Sequence, residues 1–228
     1  MDYPYPPVVE LDWPRQYRII PSKYPPINFF ENLVDPDLMD EVYEIESMTN
    51  DRLRDEAGDI SLVPAEDRVS GHGSTVVMAA FTHISHNVES RFSNGTFGAY
   101  YAANSLDTAI AETQYHREAF MRYTNEVPGD IDMRVYIGEI QKPMHDIRSR
   151  NYDFCHEPDN WNPSQGLGEQ LKKDKSWGIV FRSVRNPDGE CIAALRPPAI
   201  SIPRQGPHLS YQWDGNSIAN VFMKKKIS

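Results

Sequence analysis

Apolar residues recur along this chain in two rhythms, and the switches between them mark out its elements. Over residues 130–140 they take alternate positions around Met133, Val135 and Ile137, the two-residue period of a strand with one buried face. Residues 177–181 and 191–195 are short apolar runs and read as two more strands, joined by the turn Asn186-Pro187-Asp188-Gly189. Residues 97–103, rich in aromatics and alanine, read as another. That run ends at Asn104-Ser105, where a hydroxyl can cap a following helix. The helix it predicts runs from Leu106 to about Tyr123, with Ala109, Ile110 and Phe120 on its apolar side. An earlier helix is opened by Pro36–Leu38, because Leu38, Val42, Ile45 and Met48 fall at i, i+4, i+7 and i+10. Residues 76–81 fit a strand or the start of a short helix.

Irregular stretches separate these elements. Seven prolines in the first 26 residues describe an extended lead-in, with one short strand at 17–20. Residues 61–67 read as a loop, and Pro197, Pro198 and Pro203 break regular structure. No repeat and no low-complexity linker divides the chain. The pattern is one α+β domain over residues 1–228, with a core at about 17–197 and a proline-rich lead-in at 1–16.

Composition narrows the class. The 228 residues are 39% hydrophobic, enough for a core, and no apolar run approaches the roughly 20 residues that span a bilayer. The first residues carry acids and prolines where a signal peptide has basic residues and then an apolar block, so the expectation is a cytoplasmic protein with no membrane association. Cys155 and Cys191 lack metal-type spacing and read as reduced thiols. His83, His116 and His145 are scattered without ligand spacing, so no metal is expected and they read as ordinary histidines, with His83 a candidate for a pocket wall. The net charge is −10, and Lys224, Lys225 and Lys226 form the one short basic block. Direct nucleic-acid binding is thereby disfavoured. An anionic ligand would have to be met locally by a few arginines.

The stretch from Arg91 to Glu112 carries the most chemistry. An arginine precedes a turn with Gly95 and Gly98, then come an aromatic strand and a helix bearing Glu112 beside Ala109 and Ile110. Small residues let backbone approach a ligand, and a carboxylate beside an apolar face can point into a cleft. Tyr100 and Tyr101 must face opposite ways on a strand, which makes Tyr100 a packing residue.

This segment resembles the core signature of the RES family, named for Arg, Glu and Ser: here Arg91, then Tyr101 ending a strand, then Glu112 on a helix. Ser183, in Gly178-Ile-Val-Phe-Arg-Ser-Val-Arg185, resembles the family's third letter. Arg18, in Tyr17-Arg18-Ile19-Ile20-Pro21, resembles its opening strand, and Met78-Ala-Ala-Phe-Thr-His83 resembles its longer members. The similarity runs from about Tyr17 to Pro197, with the blocks in the family's order. The interval between Arg18 and Arg91, which includes an acidic helix at 37–56, is longer than in compact members.

The resemblance implies a single ADP-ribosyltransferase-like domain of mixed or antiparallel sheets forming a split core with flanking helices. It implies an enzyme that depletes NAD⁺ by cleaving the nicotinamide–ribose bond, by hydrolysis or phosphorolysis, as a toxin neutralised by an antitoxin of the Xre helix-turn-helix type. It allows a homodimer and needs no cofactor, NAD⁺ being the substrate. The roles implied are Glu112, Tyr101, Arg18 and Ser183 as catalytic, and Arg18, Arg91, Tyr101, Ser183 and Gly95 as NAD⁺-binding. A carboxylate near the ribose stabilises an oxocarbenium-like transition state. Arginine forks suit a pyrophosphate, a tyrosine ring can pack on nicotinamide, and a serine can orient a polar group. The turn Asn94-Gly95-Thr96 would touch phosphate, and Arg185 is a weaker candidate for a further charge. Two other readings are a mono-ADP-ribosyltransferase acting on one cellular protein and a non-enzymatic binding module. The complete residue set disfavours the second.

Overall fold

The alternating positions resolve into a single mixed sheet. The computed structural model describes residues 4–22, 58–84 and 89–225; the helix expected from Pro36 to Met48 lies outside these. Nine strands run β1 (Val8–Val9), β2 (Gln16–Pro21), β3 (Tyr100–Ala103), β4 (Gly129–Gly138), β5 (Met144–Asp146), β6 (Gly178–Arg182), β7 (Glu190–Ala194), β8 (Arg204–Trp213) and β9 (Ile218–Lys224). Across the sheet the order is β1-β5-β6-β7-β3-β2-β4-β8-β9. Among the described residues only the β5–β6 pair is parallel. Among the described residues three α-helices pack on it: α1 (Thr75–Thr82), α2 (Leu106–Tyr123) and α3 (Asn162–Lys173).

The two-residue period sorts side chains into two cores. Ala103, Ile179, Phe181, Cys191, Ala193, Val135, Leu209 and Tyr211 join Ala109 of α2 and Leu167 and Leu171 of α3 on one face. Their neighbours Tyr100, Ala102, Val180, Ile192 and Ala194 join Val77, Met78 and Phe81 of α1 on the other. Tyr100 is thus a packing residue, as its parity requires, with no exposed surface. Residues 76–81 are helical, and the expected loop at 61–67 contains two short 3₁₀ turns, Ile60–Leu62 and Ala65–Asp67.

The sheet is continuous but nearly split at its centre. β2 pairs with β4 along six register positions, whereas β2 and β3 share one, Tyr17↔Ala103. Beyond it the strands part, and Arg18 Nη1 donates to Tyr101 O at 3.0 Å. A side chain here makes a bond to a strand carbonyl where the ladder no longer runs. The core also continues past Pro197. β8 and β9 form an antiparallel hairpin whose Leu209, Tyr211, Trp213 and Ile218 are buried in the α2 face. The proline-rich lead-in lies along β5 and its neighbour, with Pro7 O accepting from Asp146 N at 2.7 Å and Pro4 O from the Tyr152 hydroxyl at 3.1 Å.

Candidate active site

Where β2 and β3 part, α2 covers the gap and leaves a cleft of about 160 Å³. The helix begins as its cap predicts: Ser105 Oγ accepts from Thr108 N at 3.1 Å. From there Ala109, Glu112, Thr113 and His116 recur at helical spacing and line the cleft, opposite Tyr17, Arg18, Ile19, Tyr101, Phe181 and Cys191.

Glu112 is held from behind. Its Oε1 accepts from Ser183 Oγ at 2.6 Å and from Val184 N at 3.2 Å. Ser183 is itself buried, and its Oγ also accepts from Arg185 N at 3.1 Å and Asn186 N at 2.9 Å. One hydroxyl therefore fixes both the turn after β6 and the carboxylate. That turn is clasped to the start of α2, because Asn186 Nδ2 donates to Thr108 Oγ1 at 3.0 Å. The Cys191 sulfur lies 4.0 Å from Glu112 Oε1, and burial, followed by the nearby carboxylate, pushes its thiol well above the usual range. It is a neutral wall, not a nucleophile.

The other expected residues divide. Tyr101 lines the cleft, and its hydroxyl is anchored outside it, donating to Ser90 Oγ at 2.9 Å and accepting from Phe92 N at 3.2 Å. The anchor fixes the ring. Arg91 stands beside the cleft, where Glu112 raises its proton affinity against a larger lowering by burial. Its Nη1 donates to Cys155 O and Glu157 O at 2.9 and 3.0 Å. Arg185 is also close, with its guanidinium 3.3 Å above the Tyr115 ring and Nη2 donating to Pro158 O. Arg18 borders the cleft from the parting of the strands, where its guanidinium stacks on Tyr100 at 4.4 Å and its buried Nε has no partner among the described residues. Burial lowers its proton affinity, with Tyr100 and Tyr101 opposing. Arg18 thus lines the cleft that Glu112 also lines while stacking on Tyr100.

Gly95 is not brought to the cleft. It is buried in a turn with φ of 91°, where its N–H donates to Ser93 Oγ, and the adjoining Asn94 Nδ2 donates to Glu169 Oε1 of α3. His83 is exposed at the end of α1, and His145 is buried with Nδ1 2.7 Å from Ser176 Oγ. His116, grouped with these two in the sequence, is a cleft residue. The missed signal is its spacing of four from Glu112, which sets both on one face. No cluster of three or more His, Cys, Asp or Glu able to hold a metal occurs among the described residues.

The order of these parts, an arginine loop, a tyrosine strand, a glutamate helix and a serine strand end, coincides with a family match: the RES domain model covers residues 65–214. The chain belongs to the RES-domain family. The chain is similar to the uncharacterized protein y4oC of Sinorhizobium fredii (strain NBRC 101917 / NGR234), 30% identical over 209 residues, 90% of this chain and 86% of that protein. Among solved structures, the crystal structure of the M. tuberculosis MbcT–MbcA toxin–antitoxin complex contains a chain that is 16% identical. It overlays with a TM-score of 0.40 on 55% of this chain and 72% of its own length. The RES match ends at residue 214, one residue past β8, so the hairpin's first strand is part of the family unit.

Proposed function

We propose that this RES-domain chain is an enzyme that cleaves the nicotinamide–ribose bond of NAD⁺ and acts as the toxin of a toxin–antitoxin pair. The observation that carries the reading is the Glu112 carboxylate, held through Oε1 by Ser183 and Val184 N–H and lining the cleft at the parted strands. Breaking the bond develops positive charge on the ribose, and a carboxylate already fixed in place stabilises it without reorganising. Nicotinamide leaves as a neutral molecule, so the chemistry asks for no metal. Tyr101, its ring fixed by the Ser90 and Phe92 anchor, offers a flat wall for the nicotinamide. Arg91 and Arg185 supply positive charge for the pyrophosphate on an otherwise acidic protein. Arg18, which lines the same cleft, adds a further charge toward the bound NAD⁺. A cognate helix-turn-helix antitoxin of Xre type is the expected partner, the domain comprises the whole chain, and the site of action is the cytoplasm.

Incubating the purified protein with NAD⁺ alone, and separately with NAD⁺ and a bacterial lysate, tests this reading. Free nicotinamide with a soluble ADP-ribosyl product in the first reaction is the expected result. Label accumulating on one protein band, with no product in the absence of lysate, would favour ADP-ribosyl transfer instead.

A further inference from the structure

One helical turn beyond Glu112, on the same face of α2 and lining the same cleft, stands His116. Its ring meets Tyr115 edge-on with centroids 5.5 Å apart and Trp161 at 6.2 Å, which sets its place at the mouth of the cleft. It is exposed there, and its nitrogens make no hydrogen bond within the described residues. By contrast, His145 Nδ1 lies 2.7 Å from Ser176 Oγ and His156 Nδ1 2.9 Å from Tyr152 O. His116 keeps both free beside the carboxylate that attracts the developing cation.

We propose that His116 is the proton acceptor for the attacking water, so that water is the group to which this enzyme transfers the ADP-ribosyl unit. The inference rests on the NAD⁺-cleavage reading and names its acceptor. As the water oxygen bonds the ribosyl C1′, one water proton passes to His116. The C1′–N bond breaks with its electron pair leaving on nicotinamide, and the proton then passes to solvent at the open mouth. The products are ADP-ribose, nicotinamide and one proton. A phosphate dianion would need no such base, because it already carries the attacking negative oxygen.

The surroundings of His116 favour the neutral imidazole this step needs. Although one edge of the ring is open to solvent, desolvation of the part packed against Tyr115, Trp161 and the cleft wall is the main influence and lowers its proton affinity. Glu112 on the same helix raises it, and Arg185 on the turn after β6, Arg117 on α2 and Arg91 before β3 lower it further.

The test measures NAD⁺ cleavage by the full chain in phosphate-free buffer across pH, for the native protein, His116→Gln and His116→Asn, with and without azide. Azide attacks without giving up a proton. Native hydrolysis is expected to fall on the acid side as His116 becomes protonated. Both variants should keep their melting temperature and NAD⁺ affinity, lose roughly 10²-fold in kcat, lose the acid limb, and recover rate with azide. Variants with native kcat and the same acid limb would overturn the proposal, as would a loss that azide does not restore. If the native protein releases no nicotinamide at all, the NAD⁺ reading fails first and this inference with it.

Discussion

Ser183 and Arg18 show how much a single polar side chain decides here. Ser183 donates to Glu112 while accepting from two backbone N–H groups, so Ser183→Ala removes one support of the carboxylate and unpairs two turn amides. The expected result is a stability loss of about 1–3 kcal/mol and a kcat lower by roughly 10- to 10²-fold, with NAD⁺ affinity little changed. Urea melts and steady-state kinetics check both, and native kcat would detach Ser183 from the site. Arg18 was legible as part of a motif, and it lines the cleft; its stacking on Tyr100 was not read from the motif. Tyr17 and Ile19 belong to the α2-side core, so the two-residue period sends Arg18 to the Tyr100 face. Glu112, Tyr101 and Ser183 could be read as a set from the motif. That Ser183 binds Glu112 could not, because the two are 71 residues apart and meet only in the fold.

Elements with their own caps and periods were readable. α2 starts and stops where the Ser105 cap and the apolar positions place it, and β4, β6 and β7 lie within one or two residues of their patterns. α3 was not. Gly166 and Gly168 weaken its helical signal, yet Gly168 is required, since a Cβ there would sit 2.0 Å from Phe92 O. Tertiary contact overrides propensity at that position. β8 hid behind Pro203, although Leu209, Tyr211 and Trp213 alternate with Ser210 and Gln212 in a strand's period. The clasp between the 186–189 turn and α2 makes a prediction at this scale. A Cβ on Gly189 would lie 2.5 Å from Thr108 Oγ1 and Cγ2, and Thr108 is fully buried. Gly189→Ala should cost about 1–3 kcal/mol and displace the start of α2, which a denaturant titration would read; an unchanged midpoint would mean that the clasp yields freely.

For the molecule as a whole, the continuous sheet of the described residues parts at its middle and leaves a cleft there. Charge sets its pH tolerance. Burial lowers the proton affinity of His116, His145 and His156. Between the ordinary histidine value near 6.5 and these lowered values the unfolded chain binds protons that the folded one does not. Stability is therefore fully present above the ordinary value and falls as the pH drops through that window. Melting temperature should decline from about pH 7.5 to about pH 5.5, and a flat profile would show these histidines titrating alike in both states. The central claim, that Glu112 stabilises the ribosyl cation of NAD⁺, is tested most directly by Glu112→Gln. The amide keeps size and hydrogen bonding but removes the charge that matters more in the transition state than in bound substrate. Initial rates of nicotinamide release should drop by about 10² to 10³ while NAD⁺ affinity and melting temperature hold. Near-native turnover in a folded, NAD⁺-binding Gln variant would contradict the account.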